Sequence, residues 1–158
     1  MKEFSSIGAM VAYLATLAAA QNLALHRGLK KCAVAIEGTA KSEFGHYQGE
    51  VAPFAGWPEL AESTKEDRVA KGFSENDPLL RTGKLQKSVS HQISGLTAVI
   101  GSDSEVMVYQ ELGTDKIPPR AVLGPAAIRN KKLVGKILGH AAAEGLLYGA
   151  GATLARLT

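Results

Sequence analysis

The feature that most constrains the fold is the stretch from Phe4 to Leu25, which carries no charged side chain. Such a stretch is typical of a signal peptide, of a membrane-spanning helix, or of a long helix in a soluble protein. Three alanines at residues 18–20 resemble the cleavage site of a signal peptide. However, Glu3 offsets Lys2 and removes the positive character that a signal peptide carries ahead of its apolar segment.

The stretch is also long enough to span a bilayer, but polar side chains interrupt it. These are Ser5, Ser6, Thr16, Gln21 and Asn22. A soluble helix explains one further feature, because apolar residues recur at three- and four-residue steps and continue past the charged residues that follow. We call this set the N-terminal stripe; it consists of Ile7, Val11, Leu14, Ala18, Leu25, Leu29, Cys32 and Ile36.

We therefore predict a long soluble helix at the amino terminus, with Ser5 or Ser6 as its cap and Gly45 as its stop. Gly28 and Gly38 each cost about 1 kcal/mol relative to alanine inside a helix, so we expect a bend or break at one of them. Such a helix is longer than the core of a small domain can cover. Part of the N-terminal stripe should therefore be buried by another subunit.

A β-hairpin is predicted in the middle of the chain. Its strands run from about Ser88 to Ser94 and from Leu96 to Gly101, and Gly95 forms the turn. Apolar residues alternate along both strands, which is typical of a sheet with one buried face. His91 lies on this register, and we expect it to pack across the strands and not to bind a ligand.

Short helices are expected around the hairpin, because several serines and threonines stand where helix caps are common. Ser63 and Ser102 each precede a glutamate by three residues, and Thr82 can cap a third helix. Gly113 is the expected stop of the helix that follows Ser102. Pro125 suits the first turn of a carboxyl-terminal helix.

These patterns predict an α+β fold, in which a small antiparallel sheet packs against long N- and C-terminal helices. The chain length suits one domain. We divide residues 1–158 into an N-terminal helix (1–47), a core with the sheet (57–124) and a C-terminal helix (125–158).

The sequence lacks the residue patterns of common catalytic and metal sites. The four histidines lie far apart, and the single cysteine excludes a structural zinc site based on thiolates. We find no phosphate-binding loop and no Gly-x-Ser-x-Gly motif. We therefore predict that the protein is not an enzyme and uses no metal or cofactor. The rival hypothesis, a small hydrolase, would require a nucleophile with a base or a pair of carboxylates.

Positive charge is concentrated near the carboxyl terminus. Residues 125–158 hold five basic residues and one acidic residue, whereas the rest of the chain holds 13 basic and 14 acidic residues. Such a segment either faces DNA or an acidic partner, or is a solvated helix face. The candidate contacts to DNA or to an acidic partner are Arg129, Lys131, Lys132 and Lys136.

Two segments have the composition of a rigid contact surface. Residues 108–114 read Val-Tyr-Gln-Glu-Leu-Gly-Thr, and residues 117–123 read Ile-Pro-Pro-Arg-Ala-Val-Leu. A helix stop and a double proline restrain this surface, and arginine and tyrosine are common at interfaces. We expect Glu111 to pair with Arg81 or Arg120, and Arg81 to fix its loop or to bind a neighbouring subunit. The candidate interface residues are Arg81, Tyr109, Glu111, Pro118, Pro119 and Arg120.

Five motifs occur in an order that resembles a known family. They are Trp57-Pro58-Glu59-Leu60, Leu80-Arg81-Thr82-Gly83, Ile100-Gly101-Ser102, the Tyr109–Thr114 segment, and Pro118-Pro119-Arg120 leading to Leu123-Gly124-Pro125-Ala126. In this order, over roughly residues 57–130, they resemble the tail-completion or neck proteins of long-tailed bacteriophages. The chain departs from the family pattern at Ala121 and Val122, where members often carry proline and phenylalanine.

The resemblance implies a structural virion protein of the head–tail junction or the tail top. Such a protein would form a homo-oligomeric ring, a hexamer or dodecamer, around the DNA channel and join the tail tube, the tail terminator and the connector or stopper proteins. It implies contact with phage DNA but no membrane, assembly in the host cytoplasm, and final location in the virion. A hydrolase of the same phage and an exported or membrane-anchored bacterial protein are the alternatives.

Overall fold

The computed structural model describes residues 3–154, with side chains described as far as Leu147. Outside the described residues lie 1–2 and 155–158. These are the outer ends of the two expected terminal helices, and they include Arg156. The elements in chain order are α1 (Ile7–Ser42), α2 (Glu62–Ala70), α3 (Lys84–Ser88), β1 (Val89–Ser94), β2 (Thr97–Ser102), α4 (Glu105–Leu112), α5 (Leu123–Arg129) and α6 (Lys131–Leu154). The two strands pair in one antiparallel sheet, and long helices lie at both ends of the chain. The predicted α+β fold is therefore confirmed.

The described residues group into two compact units. The first unit contains residues 3–32, 93–98 and 132–154, and the second contains residues 33–92 and 99–131. The chain passes from one unit to the other within α1, within each strand of the hairpin, and at the start of α6. The interactions of each unit are therefore described separately.

Helix α1 begins and ends as its sequence predicts. The Ala9 amide donates a hydrogen bond to Ser6 Oγ at 3.1 Å, so Ser6 is the cap. Beyond the last turn, Gly45 has φ +87°, and its amide donates to the Pro78 carbonyl at 2.9 Å. Among the described residues, α1 is the helix that is long and apolar enough to cross a membrane by length and composition.

A bend or a break was expected at Gly28 or Gly38. No break interrupts α1, so a break is wrong, whereas a bend stays a prediction. In the first unit, a Cβ at Gly28 would lie 2.8 Å from the Cβ of Ala141 on α6. Gly28 is thus used for close helix packing, and this contact offsets its low helix propensity. A similarly close approach occurs at Gly145, where a Cβ would lie 2.8 Å from the Cα of Gln21.

The exposure of the N-terminal stripe changes along α1. Ile7, Val11 and Leu14 are 79%, 57% and 51% exposed, whereas Cys32 is buried. Burial raises the pKa of the Cys32 thiol, which therefore behaves as a small apolar side chain. Only the later part of the stripe is covered by the subunit itself.

The second unit contains a hydrophobic core built from every described element of that unit except α2 and β2. The indole of Trp57 donates a hydrogen bond from Nε1 to the Ala121 carbonyl at 2.9 Å, so its polar atom is satisfied within the core. The buried members are Ala40, Phe44, Trp57, Val89, Met107, Val122 and Ala126.

The hairpin matches its prediction to within one residue at each strand end, and its turn glycine, Gly95, has φ +57°. Burial alternates along β1, as expected. His91 differs from the prediction, because its Nδ1 lies 2.5 Å from a carboxylate oxygen of Glu37 on α1. Its hydrogen-bond partner is therefore a helix carboxylate, and packing across the strands stays a prediction.

Three of the predicted helix starts are wrong. Ser63 lies inside α2, which begins one residue earlier, at Glu62. The residue directly before α3 is Gly83, which has φ +74°, and not Thr82. Ser104 precedes α4, and Ser102 Oγ instead accepts a hydrogen bond from the Ser104 amide.

The carboxyl-terminal helical region also differs from its prediction, because α5 and α6 are separate helices. Asn130 lies between them, and its side-chain Nδ2 donates to the Ala126 carbonyl and to Thr39 Oγ1, each at 2.8 Å. These bonds satisfy polar groups at the end of α5. Pro125 lies in the first turn of α5, as predicted.

Candidate functional site

The predicted interface residues of the second unit surround α4 and the segment that joins α4 to α5. Helix α4 ends at Gly113, which has φ +75° and whose amide donates to the Tyr109 carbonyl. The chain then returns along the helix, and the Arg120 amide donates to the Gln110 carbonyl at 2.6 Å. A Cβ at Gly113 would lie 3.0 Å from Pro119 N and from the Ile117 carbonyl, so the turn requires glycine.

Glu111 has a different partner from the one predicted. Its carboxylate accepts hydrogen bonds from the amides of Val122, Leu123 and Gly124 at 2.7, 3.1 and 3.0 Å. These amides open α5, where backbone donors have no partner within the helix and the helix dipole favours a negative charge. Glu111 thus caps α5, and the predicted pairing with Arg81 or Arg120 is wrong.

Arg120 lies inside the second unit and not at the edge of a surface. Its side chain is 6% exposed and donates from Nε and Nη2 to the Pro58 carbonyl and from Nη2 to the Glu59 carbonyl, at 3.0–3.2 Å. Burial lowers the pKa of Arg120 from its ordinary value. The arginine therefore joins the Pro-Pro-Arg segment to the Trp57–Leu60 segment.

Arg81 fixes its own loop. Its Nη2 donates to Asp67 Oδ2 at 2.8 Å, and its guanidinium lies over the Phe73 ring at 5.0 Å from the centroid. Lys71 also contacts Asp67, and Lys71 and Arg81 together lower the pKa of that carboxyl. Of the two predicted roles for Arg81, the structure shows the one within the subunit.

The remaining predicted interface residues lie on the surface. Tyr109 is 47% exposed, and Pro118 and Pro119 are both exposed. Their accessibility is consistent with a contact role, which stays a prediction.

A groove of about 560 Å³ lies beside α4 in the second unit. Its apolar lining includes Leu79, Leu85, Val106, Ile117 and Pro118. Its charged lining consists of Arg68, Arg81, Lys116 and Arg120, with Glu59 as the one acidic residue. The groove is therefore apolar with an excess of positive charge.

The four basic candidates of the carboxyl-terminal region differ in their surroundings. Arg129 Nη1 donates to the buried carboxylate of Glu43 and to Gln48 Oε1, so Arg129 is engaged within the second unit. Lys131, Lys132 and Lys136 are exposed, and none of them is in the ion pairs of the described residues. Contact of these lysines with DNA or an acidic partner stays a prediction.

Lys136 lines a second groove, of about 460 Å³, between α1 and α6 in the first unit. Arg27, Lys31 and His140 share this groove, and Arg27 donates to Glu144 at 3.1 Å. Arg27 and Lys31 are separated by one turn on α1, as Lys136 and His140 are on α6. All four side chains are exposed, which is typical of a solvated face.

Sequence reasoning missed two buried charged residues. Arg68 is 5% exposed and donates to the Ser74 and Leu80 carbonyls at 2.6 and 3.0 Å, which orders the polar loop after α2. Glu43 is 2% exposed, and its Oε2 has no donor. Neither residue belongs to a recognisable motif, because both interact with groups distant in sequence or with backbone carbonyls.

Among the described residues, no group of three or more His, Cys, Asp or Glu side chains is arranged to hold a metal ion. Comparisons of the chain with protein-family models, with curated proteins and with solved structures find no match. The relation to phage neck proteins stays a prediction from the order of the sequence motifs.

Proposed function

We propose that this chain is a structural protein of a bacteriophage virion that assembles into a homo-oligomeric ring at the head–tail junction or the tail top. In this role it joins the tail tube, the tail terminator and the connector or stopper proteins around the DNA channel. The protein assembles in the host cytoplasm, remains in the virion, and carries out no chemical reaction.

The observation that carries self-association is the exposed first part of the N-terminal stripe. Ile7, Val11 and Leu14 lie on one face of α1 and are each at least half exposed. Apolar side chains aligned along a helix in this way favour burial against another apolar surface. In a ring, a neighbouring subunit supplies that surface.

The link to the phage neck rests on the resemblance, and the contacts of its motifs support it. Arg120 joins the Pro-Pro-Arg motif to the Trp-Pro-Glu-Leu motif, and Glu111 joins the Tyr-Gln-Glu-Leu-Gly motif to the Leu-Gly-Pro-Ala motif. Three of the five family-like motifs are thus held together by hydrogen bonds. A rigid cluster of this kind suits a subunit with a mechanical role.

The test compares Leu14→Glu with Leu23→Glu in the full-length protein. Both leucines lie on α1 and are half exposed, at 51% and 58%, but Leu23 lies on the opposite face from the stripe. Light scattering after size-exclusion chromatography should show a hexamer or dodecamer for the wild type and for Leu23→Glu, and smaller species for Leu14→Glu. A wild type that remains monomeric would contradict the proposal.

The location in the particle requires a separate experiment. Electron cryo-microscopy of intact virions should show this chain as a ring between the capsid and the tail. Absence of the chain from the particle would refute the structural role even if the isolated protein forms rings.

One observation favours a second candidate, a membrane-anchored protein. Helix α1 is long and apolar enough to span a membrane. Only 6% of its most apolar 18-residue segment is buried within the subunit. An anchored protein would float with lipid vesicles in a density gradient, and an exported one would lose residues from its amino terminus. The proposed virion protein should neither float nor change its intact mass.

A further inference from the structure

One face of α4 has no partner within the second unit. Glu105, Val108, Tyr109 and Leu112 follow the i, i+3, i+4, i+7 spacing that places side chains on one helix face. Val108, Tyr109 and Leu112 are 53%, 47% and 75% exposed, and Glu105 is exposed at the amino-terminal end. We call these four residues the α4 stripe.

Two other sides of α4 are engaged within the second unit. Met107 is 3% exposed in the core, and Glu111 caps α5. Val106 and Gln110 lie on a third side and line the apolar, positively charged groove described above. The helix thus presents the α4 stripe in one direction and the groove in another.

The α4 stripe and the groove are complementary in chemistry. The stripe offers three apolar or aromatic side chains and the carboxylate of Glu105, and the exposed Asp103 adds a second negative charge beside it. The groove offers apolar walls and the exposed Lys116 and Arg81, and the buried guanidinium groups of Arg68 and Arg120 add positive charge to its lining. A contact between two stripes or between two grooves would bring like charges together.

We propose that the α4 stripe of one copy docks into the groove of the next copy. This inference rests on the proposed self-association and names a second contact between copies, beside the one made by the N-terminal stripe. The stripe extends over about 10 Å, and the groove has a volume of about 560 Å³. Because donor and acceptor surfaces differ, each copy can engage two neighbours, and the assembly closes into a ring if the rotation permits.

The local backbone prepares both surfaces before contact. The Gly113 turn, the two prolines and the three hydrogen bonds to Glu111 fix the segment between α4 and α5. A preformed surface loses little conformational entropy on docking. The buried guanidinium of Arg120 contributes charge to the groove without having to be ordered.

The first experiment measures self-association of full-length variants by analytical ultracentrifugation. Val108→Lys places a positive charge on the α4 stripe, and Lys116→Glu reverses a charge at the groove. Each should weaken association by about tenfold or more, because each sets like charges against each other. The matched controls are Val69→Lys, on α2 with 57% exposure, and Lys87→Glu, at an exposed lysine of α3, and both should associate like the wild type.

The second experiment mixes the two defective variants. Val108→Lys retains an intact groove and Lys116→Glu retains an intact stripe, so the mixture should associate more tightly than either variant alone. Circular dichroism and the fluorescence of Trp57 check that each variant is folded. If Val108→Lys does not fold, Glu105→Lys replaces it as the stripe variant.

The outcomes separate this inference from the proposed function. If the wild type assembles but neither variant weakens assembly, or if mixing restores nothing, the stripe-to-groove contact is wrong and self-association stands. If the controls lose assembly to the same extent, the contact is also wrong. If the wild type does not self-associate, both the inference and the proposed function are overturned.

Discussion

Glu43 should make the stability of the second unit fall as the pH rises from about 4.5 to about 7. Its carboxylate is 2% exposed, with one oxygen bound by Arg129 and the other, Oε2, without a donor. Burial raises the pKa of Glu43 from 4.5 to about 7, Arg129 opposes this rise, and the charge of Glu111 adds to it. The removal of a carboxylate from water thus outweighs its ion pair.

The direction of this change in stability follows from proton binding. Between pH 4.5 and about 7, the folded protein holds a proton on Glu43 that the unfolded chain releases, so the free energy of unfolding decreases with increasing pH. At 1.36 kcal/mol per pKa unit, the shift from 4.5 to about 7 corresponds to a loss of about 3 kcal/mol across this window. That loss is large beside the 5–15 kcal/mol that typically stabilises a domain.

The perturbation is Glu43→Gln, which keeps the shape of the protonated carboxyl and cannot ionise. The variant and the wild type should have similar stability near pH 4.5, and the variant should become more stable by about 3 kcal/mol above pH 7. Urea unfolding followed by the fluorescence of Trp57 measures this difference, because the only tryptophan of the chain lies in the core of the same unit.

The control is Asp67→Asn. Lys71 and Arg81 lower the pKa of Asp67, so its contribution to stability is present above pH 3.8 and is lost as the pH falls below that value. Its difference from the wild type should therefore remain constant between pH 5 and 8. If Glu43→Gln shows the same constant difference, or becomes less stable than the wild type at high pH, the argument from desolvation is refuted.

Two further predictions concern packing and capping. Gly28→Ala should lower the melting temperature, since its Cβ would lie 2.8 Å from that of Ala141, whereas Gly38→Ala meets nothing within 4 Å and should stabilise α1 by about 1 kcal/mol. Equal effects of the two changes would show that Gly28 has no packing role. Glu111→Ala should cost about 3 kcal/mol in urea unfolding, because three amides at the start of α5 lose their acceptor. The exposed Glu66→Ala on α2 is its control, and a similar small cost for both would argue against the capping role.

The sequence predicted the elements whose signal is local. The apolar period of α1, the alternation of β1, the serine cap at Ser6 and the glycine stop at Gly113 each depend on neighbours within a few residues. Side-chain spacing and backbone preference act at this range, so these predictions match the structure. The α+β class follows from the same signals, because a long helix at each end of the chain and a short hairpin allow few alternatives.

The sequence could not identify most partners of the charged residues. Glu111 was expected to pair with an arginine, but its carboxylate accepts from the amides at the start of α5, which have no acceptor within the helix. Arg120 was expected at a surface, but it reaches the carbonyls of Pro58 and Glu59, about 60 residues away in the chain. Such choices depend on which backbone groups remain unsatisfied after the chain has folded.

The sequence by itself thus determined α1, the hairpin and the presence of an apolar stripe too long for one core. The tertiary structure decided which part of that stripe is covered, since packing against α6 uses Gly28 and leaves Ile7, Val11 and Leu14 exposed. It also decided that α4 presents one apolar face to solvent and another side to a basic groove. Local spacing specifies a helix and its faces, but only the positions of distant segments specify which face is buried.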